Sequence, residues 1–159
     1  EAEKELDNIL DNINTAGQPK YCTNLRVNSI LSYKLSEVPE GVNITYDVKV
    51  PEELDVDYSD LGVIIGNLID NSKHAVIENN MDAYIDIKLI CHADNIVFII
   101  KNNYINTPEA RTIDYYKNHG RGIGSVRKII KKYDGMYDVK KTEYEYVTSV
   151  SVGVRNMRM

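Results

Sequence analysis

Tryptophan is absent from this chain, and cysteine occurs only twice, at Cys22 and Cys91. Two cysteines support neither a disulfide framework nor a zinc cluster, and such sparing use fits a reducing, cytoplasmic compartment. No apolar run approaches the roughly 20 residues that a membrane-spanning helix needs, and no signal peptide is visible. Positive charge is in the minority: the formal net charge is -5, which argues against a general nucleic-acid surface and against contact with an anionic membrane. Neither an internal repeat nor a low-complexity tract is found. The sequence opens on Glu1-Ala2-Glu3-Lys4 without a methionine and reads as a piece excised from a longer protein. What is present is ordinary for a soluble globular protein: 159 residues, 43% hydrophobic and 27% charged, enough for one domain with a proper core.

The strongest pattern runs from Leu61 to Val76. Leu61, Ile64, Ile65, Leu68, Ile69, Ser72, Ala75 and Val76 recur at helical spacing and predict an amphipathic helix packed on a core. Asn67, Asn71, His74 and Glu78 follow the same period on a neighbouring stripe, so two amides and an imidazole project from one side. Asparagine has poor helix propensity, because its amide competes with the backbone for hydrogen bonds. Two asparagines one turn apart therefore fit either solvated positions and a loop cap, or oxygen ligands for a hard cation such as Mg²⁺, which takes few protein groups plus water and phosphate. Lys73 points away from this stripe and reads as solvated.

Before that helix, Leu6, Ile9, Leu10 and Ile13 form a narrow helical stripe suited to another helix or subunit, ended by Gly17-Gln18-Pro19. Tyr21 and Cys22 are expected to form a short strand. Thr23 or Asn24 then caps a helix carrying Leu25, Val27, Ile30, Leu31 and Leu35. Val42 to Val50 alternates apolar and polar residues and reads as a half-buried strand stopped by Pro51. Asp57, Ser59 or Asp60 can cap the main helix. After it come two strands, Ala83 to Cys91 and Asn95 to Lys101, joined at His92-Ala93-Asp94. Tyr104 to His119 reads as an irregular polar loop, long enough to be functional. Gly120-Arg121-Gly122-Ile123-Gly124 is expected to open a helix that Tyr133-Asp134-Gly135 closes, and Met136 to Lys141 with Tyr144 to Val154 forms a final hairpin. This order predicts an α+β, two-layer α/β sandwich: about three helices on a mixed, mostly antiparallel sheet of about five strands.

Glycines at 120, 122 and 124 let a backbone approach a ligand closely, and a helix start behind them would offer free N–H groups to phosphate. The spacing is not that of Walker A, since no Gly-Lys-Ser/Thr follows, and the run does not follow a strand as a dinucleotide-binding fingerprint must. A flexible loop ending at a helix N-cap is the alternative reading of the run.

Taken together, these segments resemble a known family. Asn67-Leu68-Ile69-Asp70-Asn71-Ser72 resembles the N box of the GHKL (Bergerat-fold) ATPases, and Gly120-Arg121-Gly122-Ile123-Gly124 resembles their second glycine box. Ile129-Ile130-Lys131-Lys132-Tyr133-Asp134-Gly135-Met136 is similar to the segment that follows that box in sensor histidine kinases. The stretch from Asp60 to Asn71 and the Arg-Gly-Ile-Gly element most resemble the peptide-pheromone, quorum-sensing type. The resemblance implies an ATP-binding catalytic domain over residues 19–159, holding Mg²⁺-ATP under a mobile lid, with residues 1–18 the tail of a dimerising helical stalk or a linker. It assigns Asn71 to Mg²⁺. It places Asn67 where hydrolytic members carry a water-activating glutamate; an amide cannot take up that proton, which fits phosphotransfer better than hydrolysis. It sets His74 near the phosphates, and Lys117, His119 and Arg121 in or beside the lid, where they can offset phosphate charge; Gly122, Ile123 and Gly124 form the hinge around the nucleotide. The usual Asp-x-Gly-x-Gly box is replaced by Ile100-Lys101-Asn102-Asn103-Tyr104, and Asn102 stands at the adenine-reading aspartate, where an amide can both accept and donate.

By this resemblance the γ-phosphate goes to a histidine on a separate helical domain, since none of His74, His92 or His119 has the setting of that acceptor. A response regulator would lie downstream, and the parent would be a homodimer anchored in a membrane with this domain in the cytoplasm. A serine/threonine kinase of the anti-sigma-factor type shares the fold, and so does a degenerate interaction module that binds ATP weakly.

Overall fold

The computed structural model describes residues 20–77, 82–105 and 113–158, with the side chains of all of these except 113–121. The expected stalk segment, residues 1–18, lies outside them. Among the described residues the chain forms α1 (Leu25–Ser36), β1 (Asn43–Lys49), α2 (Tyr58–Ile77), β2 (Tyr84–His92), β3 (Asn95–Asn103), α3 (Ile113–Lys132), β4 (Met136–Lys141) and β5 (Glu145–Gly153), with a 3-10 turn at Val154–Met157.

The five strands lie in the order β1-β2-β3-β5-β4. β1 and β2 are parallel, as a strand-helix-strand crossover through α2 requires, while the other three pairs are antiparallel. Burial alternates along the central strands. Ile85, Ile87 and Leu89 of β2, Ile96, Phe98 and Ile100 of β3, and Val150 and Val152 of β5 are all at most 4% exposed. Their register sets Leu89 opposite Phe98 and Phe98 opposite Val150, so one face of the sheet is a continuous apolar layer. Against it pack Ile64, Ile65, Leu68 and Ile69 of α2, Val27 and Leu31 of α1, and Val126 and Ile130 of α3. At roughly 1.5–3 kcal/mol for each large side chain taken out of water, this layer dominates the folding energy. The two-layer α/β architecture is the one the periodicities predict.

The helix starts follow their capping chemistry. Asn24 Oδ1 accepts from Val27 N at 3.0 Å, and Asp57 Oδ1 accepts from Ser59 N at 2.9 Å and Asp60 N at 3.2 Å. At the other end of α3, Asp134 takes the left-handed backbone turn with φ of 50°, not Gly135. Gly135 serves a different need: a Cβ there would lie 2.6 Å from Ser151 O, so only glycine lets the chain cross β5 this closely.

Four expectations are corrected. Tyr21 and Cys22 form no strand; with Lys20, their N–H groups point at Asn28 Oδ1, at 3.1 Å for Lys20, 2.8 Å for Tyr21 and 3.5 Å for Cys22. One buried amide oxygen has replaced a sheet neighbour. Residues 113–119 are helical rather than irregular, and the glycine run lies inside α3 instead of opening it. Glycines cost a helix about 1 kcal/mol each relative to alanine, but the burial of Val126 and Ile130 outweighs that penalty. Lys73 is not solvated: it pairs with Glu37 at 3.2 Å and lies 3.7 Å from Asp70.

Candidate functional site

α2 and α3 run over the same end of the sheet, and a cavity of about 560 Å³ opens between them and the ends of β3, β4 and β5. Leu68, Asn71, Ser72 and Ala75 line it from α2, Asn102 and Tyr104 from β3 and the residue after it, Ile123, Gly124 and Arg127 from α3, and Val139, Lys141, Tyr146 and Thr148 from the β4–β5 hairpin. The volume is that of a small-molecule site, apolar in its walls with a few converging polar groups. No carboxylate and no histidine is among the described lining residues.

Helical periodicity explains the α2 wall. Leu68 packs into the core at 1% exposure, and one turn further on Asn71, Ser72 and Ala75 face the opening. Asn67 sits a turn earlier. Its Nδ2 donates to Val63 O at 2.8 Å, and its Oδ1 faces α3, where a Cβ on Gly122 would come within 2.7 Å. Gly122 is thus one point at which the two helices meet. Two residues on, a Cβ at Gly124 would meet nothing within 4 Å, because that position borders the cavity.

Asn102 lies at the end of β3 on the covered face, opposite Ile85 and Tyr146. It is 2% exposed, and Ser72 Oγ donates to its Oδ1 at 2.9 Å. Its Nδ2 donates to Asn103 O at 3.1 Å. Basic groups stand further out. The Arg127 guanidinium lies 5.3 Å from the Tyr137 ring and Lys141 Nζ lies 5.0 Å from the Tyr104 ring. Burial pushes the Tyr137 and Tyr146 phenols up, Tyr146 also raising Tyr137, while Arg127 pulls both the other way. Both phenols are therefore neutral hydroxyls near pH 7, and the charge on this wall is positive.

Of the residues singled out in the sequence, the structure brings Asn71, Asn102, Ile123 and Gly124 to one cavity and sets Asn67 against Gly122 at its edge. His74 does not line it; its Nδ1 is 2.6 Å from Asp70 O on the exposed side of α2. The side chains of Lys117, His119 and Arg121 lie outside the described residues. Sequence reasoning passed over Ser72, Arg127, Lys141, Tyr146 and Thr148. Ser72 carried a signal, being a hydroxyl within the apolar stripe of a core helix. The hairpin residues carried none, because only the register of β3 with β5 brings them to the site.

The GHKL domain family matches residues 56–153, more than half of the chain. A search of curated proteins finds no match. Among solved structures, the fold is similar to the catalytic domain of histidine kinase ThkA in a nucleotide-free form, with 14% identity and a TM-score of 0.60 over 82% of this chain and 92% of that one. It is similar to the Acinetobacter baumannii histidine kinase AdeS, with 14% identity and a TM-score of 0.59 over 96% of this chain and 80% of that one. It is also similar to the histidine kinase domain from the Erythrobacter litoralis EL346 blue-light activated histidine kinase, at 9% identity and a TM-score of 0.59, covering 84% of this chain and 59% of that one. At such identities the likeness is one of fold, and this chain spans less than two thirds of the last protein's length. The family match and the architecture agree: the chain belongs to the GHKL domain family.

Proposed function

We propose that this chain is the Mg²⁺-ATP-binding catalytic domain of a two-component sensor histidine kinase, with residues 19–159 the nucleotide-binding unit and residues 1–18 the end of a dimerising stalk. The observation that carries the reading is the make-up of the cavity: the half-buried Asn71 amide, the buried Asn102 amide and the buried Ser72 and Thr148 hydroxyls, exposed Arg127 and Lys141, and no described carboxylate or histidine along it. Such a lining suits an anionic ligand with a polar head, and it offers no general base to activate water. Transfer of a phosphoryl group to an acceptor brought from outside fits better than hydrolysis, because that chemistry runs mainly on positioning and charge neutralisation.

The donor set also bears on the metal. Among the described residues no group of three or more His, Cys, Asp or Glu can hold an ion, so a protein-made cage is not on offer. Mg²⁺ does not need one: it keeps several waters and takes one or two protein oxygens plus phosphate. Asn71, which projects from α2 into the cavity, would supply that oxygen. Bound Mg²⁺ supplies charge neutralisation at the phosphate oxygens. Asn67 holds α2 against the glycine segment, Asn102 meets the base, and Arg127 and Lys141, with Lys117 and Arg121, supply positive charge around the phosphates.

The acceptor histidine belongs to a separate helical domain of the parent, a membrane-anchored homodimer of the quorum-sensing type with this domain in the cytoplasm and a response regulator downstream. The fragment alone should bind nucleotide without becoming phosphorylated on histidine. Isothermal titration with a non-hydrolysable ATP analogue tests the reading: binding with Mg²⁺, much weaker without it, and loss of the metal dependence in Asn71→Ala are expected. No heat at millimolar nucleotide would refute it and leave an interaction module.

A further inference from the structure

We propose that Ser72 is a positioning residue for base recognition, its hydroxyl pinning the Asn102 amide where that amide reads the 6-position of a purine. The proposal rests on the nucleotide-binding reading above. Ser72 and Asn102 come from different layers of the fold, one from α2 and one from β3, and meet at 2.9 Å with exposures of 3% and 2%. Both also line the cavity, which Leu68, Ala75, Ile123 and Val139 make largely apolar. A polar pair held among apolar groups is the element that fixes how a ligand is oriented.

The chemistry of the neighbours settles which way the amide faces. Asn103 O lies 3.1 Å from one end of it, and a carbonyl can only accept, so that end is the nitrogen. The other end is Oδ1, and the serine hydroxyl must donate to it. One N–H and one oxygen lone pair then remain for a ligand. Adenine presents the matching pair, an amino donor beside a ring-nitrogen acceptor, whereas a carboxylate at this position could only accept. Without the hydroxyl, nothing on α2 holds the plane of the amide, and the reading of the 6-amino group loosens while the rest of the nucleotide contacts stay as they are.

The test is a cycle of two ligands against several proteins. Dissociation constants for ADP and for purine riboside 5′-diphosphate, which lacks the 6-amino group, are measured with Mg²⁺ by isothermal titration. Wild type should favour ADP about tenfold, the value of one well-placed hydrogen bond in a dry site. Ser72→Ala should shrink that preference about three- to tenfold, with little change in affinity for the purine riboside, and Ser72→Thr, which keeps the hydroxyl, should restore it. Ser72→Cys, a weaker donor of similar size, should show the same loss and stands in if the alanine variant does not fold. Equal weakening of both ligands in Ser72→Ala, or an unchanged ratio, overturns the proposal. If wild type binds neither ligand, the nucleotide reading fails first and takes this one with it.

Discussion

Replacing Gly122 and Gly124 by alanine should have unequal effects on stability, although the residues lie two apart in one helix. Each substitution adds the same propensity gain, about 1 kcal/mol. At Gly124 the new methyl meets nothing within 4 Å, so Gly124→Ala should stabilise the fold by about that amount. At Gly122 the methyl would lie 2.7 Å from Asn67 Oδ1 and 3.4 Å from its Cγ, so the amide must turn. Turning it gives up the Asn67 Nδ2 bond to Val63 O, worth about 0.5–1.5 kcal/mol, and moves the side chain off its rotamer at about the same cost. The propensity gain cancels in the comparison, which leaves Gly122→Ala about 1–3 kcal/mol less stable than Gly124→Ala. Urea unfolding followed by circular dichroism at 25 °C measures this difference directly. In an Asn67→Ala background the gap should fall to about 0.5 kcal/mol or less, since the clashing atom is gone. Equal stabilities for the two variants in the wild-type background would mean that α2 and α3 do not meet at Gly122. Gly124→Ala should also weaken nucleotide binding, because its methyl enters the cavity.

Two further outcomes follow from other parts of the fold. Asp60 at the start of α2 accepts from Lys132 Nζ at 2.7 Å and from the Tyr133 hydroxyl, and these partners, Lys132 first, hold its carboxyl below the usual carboxylate range. A lowered folded-state pKa gives stability that is present above the unfolded value of about 4 and lost as pH falls through the folded one. Asp60→Asn should therefore be less stable than wild type at pH 7, with the gap in urea midpoint closing below about pH 4, and a gap that stays constant with pH would argue against the pair. Phe98, 1% exposed at the centre of the covered face, should cost about 3–5 kcal/mol when truncated to alanine, and a loss under 1 kcal/mol would contradict its place in the core.

Much of this architecture is legible in the sequence because its elements carry strong local signals. The apolar stripe from Leu61 to Val76 and the alternation from Val42 to Val50 each match one period only, and Asn24 and Asp57 cap where their chemistry predicts. The misreadings arise where tertiary contacts override local preference. Gly120 to Gly124 reads as the start of a helix on propensity, yet α3 already runs from Ile113 and carries straight through it, the burial of Val126 and Ile130 outweighing the glycine cost. Tyr21 and Cys22 have strand character, but Asn28, reached only once α1 has folded, takes their N–H groups. The α2 side of the cavity was visible as Asn71, on the polar stripe beside the core face, and the β3 side as Asn102, which the family resemblance singled out. Lys141 and Tyr146 were not, because the registers of Asn102 with Tyr146 and of Tyr146 with Lys141 are long-range facts that no local window contains.

The central claim is that Asn71 faces a metal-nucleotide complex in the cavity between α2 and α3. Paramagnetic broadening reads it directly: Mn²⁺ in place of Mg²⁺ is added to isotope-labelled protein with and without ADP, and the side-chain amide resonances are followed. Broadening of Asn71 and its neighbours that needs the nucleotide, with the Asn24 amide at the far cap of α1 unaffected, is the predicted result. Signals at Asn71 that stay sharp at saturating Mn²⁺-ADP would contradict it.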